Sequence, residues 1–315
     1  MATVTVYTAF NMSNYTTSNA FYTISSSSSS IVLTDGYRYI YYTGSSFGYA
    51  NDGTWISGTI TGVSQTANGS TELRVTGASV PAPILSDLIE TNQIPELFGI
   101  VFSGNDTFIG SGYTDHLIGY GGNDLLYASS GNDILDGGDG RDTVSYGVNR
   151  SAYTVNNITN AWQVQKPSAS GTDTVYNNVE RITFADGTLG LDTVSGSSGV
   201  MYRLYKAAFD RVPDAPGLGH NIRLMDGGLT LAQMSDAFVV SAEFTNTYGA
   251  LSNAQFINQL YLNVLDRTPD EPGLAWNVNL LNTTHTRHEM LSGFSESPEN
   301  QAAVIGQIQD GIWFT

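Results

Sequence analysis

Five aspartates stand nine residues apart without slippage: Asp106, Asp115, Asp124, Asp133 and Asp142. Two residues before them come Gly104, Tyr113, Gly122, Gly131 and Gly140, and two residues after them Phe108, Leu117, Leu126, Leu135 and Val144. A Gly/Asn/Asp-rich loop would not hold five carboxylates and five apolar partners in register by chance. A fixed period means a stacked array in which each unit buries its apolar residue against the next. Glycine permits positive φ angles and lets carbonyl oxygens crowd together. Carboxylates and carbonyls together make a set of hard oxygen donors. Calcium suits such a flexible cage, whereas magnesium demands tighter octahedral geometry and zinc prefers nitrogen or sulfur.

The register resembles the calcium-binding nonapeptide repeats of RTX proteins exported by type I secretion, with coverage from about Gly99 to Asp192. The stretch from Gly171 to Val175, followed by Asn178 to Leu189, is similar to the segment that often follows such repeats. The resemblance implies a parallel β-roll in which two nonapeptides make one coil, so that same-side repeats lie 18 residues apart. It pairs Asp106 with Asp124, Asp124 with Asp142, and Asp115 with Asp133, which gives about three calcium ions of roughly 10⁻⁴ to 10⁻³ M affinity. The expected metal-site residues are Gly104, Asp106, Gly110, Gly112, Asp115, Gly119, Gly121, Gly122, Asp124, Gly131, Asp133, Gly137, Asp139, Gly140 and Asp142. Tyr113 occupies a glycine place, and Val101-Phe102 replaces the leading Gly-Gly of the first repeat. These departures mark the Asp106/Asp124 edge as the expected weakest site. The resemblance also implies an uncleaved C-terminal secretion signal, for which residues 306–315, ending in the acidic-apolar run Asp310 to Thr315, are the candidate. Cytosolic calcium is too low to fill such sites, so the repeats are expected to fold only after export.

The rest of the chain divides by periodicity into a multidomain α+β arrangement. Residues 1–100 read as a β-rich domain, with alternating stretches at Thr3–Phe10, Ile31–Leu33, Tyr37–Tyr42, Trp55–Val63 and Leu73–Val75, and turn signals such as Asp35-Gly36 and Asn68-Gly69 between them. A short helix fits Pro83 to Ile89, and the serine run Ser25–Ser30 fits a loop or a polar strand edge. Residues 101–146 hold the repeats, and 147–195 read as strands capping them. Residues 196–305 change to helical period and repeat at an offset of 56, in copies of about 201–250 and 257–305. Asp210-Arg211-Val212-Pro213-Asp214-Ala215-Pro216-Gly217-Leu218 matches Asp266-Arg267-Thr268-Pro269-Asp270-Glu271-Pro272-Gly273-Leu274. Each copy reads as helix, Pro/Asp/Gly turn, helix and third helix, with Thr230/Gln233 and Thr286/Glu289 as capping boxes. The turn resembles the signature of the DUF4214 domain found beside RTX repeats in bacterial surface proteins. The tryptophan usual after Gly-Leu is displaced to Trp276 in the second copy, and the first copy lacks one.

Composition bounds the partners. The net charge of −17, with 12 Lys and Arg against 29 Asp and Glu, repels nucleic acid and anionic lipid and attracts divalent cations. At 13% charged and 41% hydrophobic residues, the acidity is not that of a disordered tail. No disulfide is available without cysteine, and no apolar run is long enough to span a membrane. The N-terminal residues lack a Sec-type signal pattern.

No catalytic constellation stands out, and no enzyme activity is expected. His285-Thr286-Arg287-His288-Glu289 has the wrong order for a zinc helix. Gly44-Ser45-Ser46-Phe47-Gly48 matches a nucleophile elbow but has no helix after it. Asp35, Asp52 and Glu72 are the few carboxylates that a hidden N-terminal site could use. Tyr37, Tyr39 and Tyr41 form a stripe that is either a half-buried sheet face or, with Trp276, a ligand or assembly face. The expectation is a secreted structural protein of the bacterial cell surface or matrix, such as an S-layer or filament subunit, that self-associates with calcium. A monomeric adhesin binding cell-surface polysaccharide is the alternative.

Overall fold

The computed structural model describes residues 1–12, 22–91 and 93–315. It divides into two compact units, Met1–Asp186 and Gly187–Thr315.

The first unit contains a β-rich N-terminal region and a central region of parallel strands. Strand β1 (Thr3–Val6) is followed by β2 (Tyr22–Ser26), β3 (Ser30–Thr34), β4 (Arg38–Tyr49), β5 (Trp55–Ala67) and β6 (Ser70–Pro81). Strands β2 to β6 form an antiparallel meander. Alternation of apolar and polar residues gives it one buried face. Helices α1 (Ala82–Glu90) and α2 (Ile94–Val101) cover that face, with Leu85, Leu88 and Leu97 against Ile31, Ile40 and Ile60. Helix α1 coincides with the helix expected at Pro83–Ile89. The serine run makes the β2–β3 turn, where Ser27 Oγ accepts from the Ser29 and Ser30 amides, and β2 is an edge strand.

Three-residue strands follow: β7 (Thr107–Ile109), β8 (His116–Ile118), β9 (Leu125–Tyr127), β10 (Ile134–Asp136) and β11 (Thr143–Ser145). Their partners are not sequence neighbours. β7, β9 and β11 form one parallel ladder, and β8 and β10 another. Phe108, Leu126, Leu135 and Val144 are fully buried and Leu117 nearly so. Burial of a side chain this size contributes about 1.5–3 kcal/mol.

A hairpin, β12 (Thr154–Ile158) and β13 (Ala161–Gln165), then interrupts the period. β14 (Thr172–Tyr176) rejoins the second ladder beside β10, and β15 (Arg181–Phe184) rejoins the first beside β11. At the other end β1 pairs parallel with β7 and antiparallel with β6. The meander and the first ladder are therefore one continuous sheet, joined through the first residues of the chain.

In the second unit, β16 (Gly187–Gly190) pairs antiparallel with β17 (Ile312–Phe314). Residues 306–315, the expected secretion signal, thus comprise the end of a helix and a paired strand whose Ile312 and Phe314 are buried. Between them run α3 (Ser197–Phe209), α4 (Ala215–Asp226), α5 (Leu231–Val239), α6 (Ala242–Tyr248), α7 (Asn253–Leu265), α8 (Glu271–Thr283), α9 (Arg287–Ser295) and α10 (Pro298–Ile308). Each copy has four helices, not the three that the sequence suggested. Ser241 and Ser297 are N-caps that start a fourth helix after a gap of two residues from the third. Both expected capping boxes form, and Asp214 and Asp270 cap α4 and α8. Arg211 stacks over Tyr205 at 5.1 Å and Arg267 over Tyr261 at 5.4 Å, so the two copies share this packing.

Candidate calcium centre

The register places the five aspartates in two columns. Asp106, Asp124 and Asp142 stack beside the first ladder, and Asp115 and Asp133 beside the second. Each carboxylate accepts a hydrogen bond from the amide of the residue one coil earlier. In the first column, Asp106 N donates to Asp124 Oδ1 at 2.7 Å and Asp124 N to Asp142 Oδ1 at 2.8 Å. The Ala2 amide donates to Asp106, and Asp142 N donates to Glu180 Oε2 at 2.7 Å. In the second column, Phe10 N donates to Asp115 Oδ1 at 2.9 Å, Asp115 N to Asp133 Oδ1 at 3.0 Å, and Asp133 N to Asp173 Oδ1 at 2.9 Å.

The columns differ in their other oxygens. Oδ2 of Asp106, Asp124 and Asp142 is buried and has no hydrogen-bond partner. Leaving a buried polar group unsatisfied costs about 1–3 kcal/mol, and more for a charged one. Burial accordingly pushes the carboxyl of Asp124 up to about 7 and that of Asp142 up to about 6, with neighbouring acids adding to the rise, and raises Asp106 as well. In the second column Asp115 Oδ2 accepts from the Ser111 amide at 2.7 Å and from its hydroxyl at 2.9 Å. Asp133 Oδ2 accepts from Lys166 Nζ at 3.1 Å, and Asp173 Oδ2 from the Tyr146 hydroxyl at 2.8 Å. Burial still pushes Asp133 up to about 6, with repulsion from Asp173 adding to the rise and Lys166 opposing it.

The first column fits calcium. Two of its orphan oxygens face space kept open by glycine: a Cβ at Gly119 would lie 2.4 Å from Asp124 Oδ2 and 2.2 Å from the Gly137 carbonyl, and one at Gly137 would lie 2.4 Å from Asp142 Oδ2. Among the described residues no three His, Cys, Asp or Glu side chains converge. A cation there is met by carboxylate plus backbone carbonyl, a donor set suited to calcium. Asp106, Asp124 and Asp142 would hold it, where it would neutralise the buried carboxylates. Asp115 and Asp133, expected to share a third ion, have protein donors on both carboxylate oxygens instead.

Glycine is also required where one turn stacks on another. Gly122, Gly131 and Gly140 have φ of 115°, 113° and 135°, and a Cβ on any of them would strike the turn one coil earlier. Gly104, Gly112 and Gly121 have open space at the Cβ position, and a Cβ at Gly110 would be only tight, 3.2 Å from Asp115 Oδ2. Tyr113, in a glycine place, has no positive φ and is 61% exposed, so its backbone is not strained by the substitution. Val101-Phe102 departs from Gly-Gly because these residues finish α2, and the Phe102 ring packs on Phe108 at 5.2 Å. Asp139 is exposed on the outer turn, where its amide bonds the Tyr120 carbonyl.

Several residues of the columns were not singled out from the sequence. Asn105 and Asn123 accept from the amides of Asn123 and Arg141 one coil later, and Asn132 from that of Thr172. Their repeated place just before three of the five aspartates was the available signal. Asp173 continues the Gly-x-Asp-x-apolar pattern as Gly171-Thr172-Asp173-Thr174-Val175, and Glu180 with Ile182 does so more loosely. Ser111 and Lys166 had no signal.

The other candidates lie apart. Tyr39 and Tyr41 are exposed on β4 with rings stacked at 6.3 Å, whereas Tyr37 sits in the turn before the strand, not on its face. Trp276 is 66% exposed on α8. Asp35 caps the turn at Tyr37 and Arg38, Asp52 accepts from the Thr54 amide, and Glu72 accepts from Gln65. Under α1 and α2 lies a cavity of about 70 Å³ lined by apolar side chains and Gln65, without a carboxylate. Ser46 has φ 59° inside a bulge of β4, and the strand continues past it. Glu289 is held by the Thr286 cap.

The chain carries RTX calcium-binding nonapeptide repeats, matched over residues 101–135 and 109–144, and a DUF4214 domain of unknown function, matched over 235–304. No curated protein matches the chain. Among solved structures, the extracellular lipase LipA from Serratia marcescens is similar at 20% identity over 26% of this chain, with a TM-score of 0.25. The chain spans only 13% of that lipase. No helix among the described residues is long and apolar enough to cross a membrane.

Proposed function

We propose that this chain is a secreted calcium-binding structural protein of the bacterial cell surface or extracellular matrix, without an enzymatic site. Its central region is read as a calcium-filled parallel β-roll. The observation that carries this is the column of buried, unpartnered Oδ2 atoms on Asp106, Asp124 and Asp142. Without a cation, that column opposes folding. Calcium therefore couples folding to export from a calcium-poor cytosol, the type I secretion machinery being the expected route. The repeats, the acidic composition and the place of β2 at the sheet edge among the described residues support a role in calcium-dependent self-assembly.

The test is a titration from chelator to about 10 mM calcium, a range bracketing the affinity of extracellular sites, followed by circular dichroism and light scattering. Gain of β signal together with ordered particles is the expected result. Folding into a monomer that never associates would remove the assembly role. The stacked Tyr39 and Tyr41 rings favour a second reading, a monomeric adhesin for cell-surface polysaccharide. A glycan array without binding in calcium would end that reading.

A further inference from the structure

We propose that Lys166 is a built-in cation whose ammonium fills, between Asp133 and Asp173, the place that a calcium ion takes between aspartates of the first column. This rests on the calcium reading of the first column. Lys166 follows β13, the second strand of the inserted hairpin, and its amide bonds the Gly171 carbonyl at 2.9 Å. That turn sends the side chain back across the end of the second column. Nζ lies 2.6 Å from Asp173 Oδ1, 3.1 Å from Asp133 Oδ2 and 2.6 Å from the Ser129 carbonyl. Two carboxylates from successive coils and one backbone carbonyl are the kinds of donor available to a metal in the first column. Lys166 is only 7% exposed, and Asp133 and Asp173 are 3% and 0% exposed.

A lysine is buried this deeply only when its charge is matched. Here the match is made by the positions that the nonapeptide register reserves for a cation. The other end of the column is closed by uncharged donors. Both oxygens of Asp115 accept from Ser111, and the Ser129 hydroxyl donates to the Ser111 carbonyl. Consistently, no carboxylate oxygen of Asp115, Asp133 or Asp173 is left without a partner, whereas each aspartate of the first column has one. Calcium thus belongs to one side of the roll, and the other side is assembled from the chain's own groups.

The test counts calcium per full-length chain by equilibrium dialysis for the wild type and Lys166→Gln, with thermal midpoints in chelator and in 10 mM calcium, the upper end of the range used above. Lys166→Gln is expected to bind one more calcium ion than the wild type. Its midpoint should fall by about 10 °C in chelator, the scale of a broken buried pair, and calcium should restore it. An unchanged count, with a loss that calcium does not restore, overturns the inference and leaves the first column's calcium intact. If Lys166→Gln fails to fold even in calcium, the double variant Lys166→Gln/Asp173→Asn decides. Folding with the wild-type count supports charge replacement, and failure to fold means that the lysine serves packing and overturns it. A wild type that binds no calcium overturns the calcium reading itself, and the inference with it.

Discussion

The two aspartate columns come from one repeat but differ in what meets their second carboxylate oxygens. In the first, Asp106, Asp124 and Asp142 each keep one buried carboxylate oxygen without a partner. In the second, Ser111, Lys166 and Tyr146 supply donors to the matching oxygens of Asp115, Asp133 and Asp173. The backbone-to-carboxylate bonds are the same in both, so the repeat fixes the scaffold but not the charge balance. That balance depends on what reaches each column from outside the repeat. The array is therefore not uniform in how its carboxylate oxygens are met.

The comparison breaks most readily at Asp124, which stands between Asp106 and Asp142. Asp124→Asn should abolish most of the calcium-dependent stabilisation. A site filled at 100 times its dissociation constant contributes about 2.7 kcal/mol, and both first-column pairs share this residue. Thermal melts with and without calcium should converge for the variant. A calcium shift of wild-type size would place the ions elsewhere.

A pH series gives the next largest effect. Burial pushes the carboxyls of Asp124 and Asp142 up to about 7 and about 6, above an ordinary aspartate value of 3.8. Groups raised on folding favour the native state fully below their unfolded value, and that support is lost as pH rises through the folded value. In chelator, stability should thus rise on acidification from pH 8 towards 5, measured as the urea midpoint. Calcium competes with those protons, so its affinity should weaken as pH drops below about 7. A chelator profile flat across this range would show the carboxylates to be already compensated.

Ser111→Ala sharpens the contrast from the other side. Loss of the hydroxyl leaves Asp115 with backbone donors only and should cost about 1–3 kcal/mol, equally in chelator and in calcium. A loss that calcium repairs would mean that the metal can enter the second column after all. The smallest effect is expected at Tyr113. Tyr113→Gly should change stability by no more than about 0.5 kcal/mol, as is usual for exposed positions. A large gain would show that the tyrosine strains its turn.

The sequence made much of this legible because its signals were local and periodic. Nine-residue spacing set the strands, the inward apolar residues and the two aspartate columns. Capping residues set the helix starts, as at Thr230 and Thr286. What was missed involves partners far apart in sequence. Asp173 and Glu180 stand 40 and 38 residues from their partners because the β12–β13 hairpin interrupts the period. β1 read as part of the N-terminal region, yet its pairing with β7 joins residues 104 apart, Val4 with Phe108. Nothing in the first strand's own residues names that neighbour.

The sequence by itself determined that this chain stacks Gly-x-Asp-x-apolar turns and follows them with a duplicated helical unit. Periodic side chains and caps dictate both within a few residues. Only the tertiary structure decided which aspartates keep a buried carboxylate oxygen without a partner. A buried charge is settled by whatever reaches it across the fold, and Lys166 reaches Asp133 from 33 residues away.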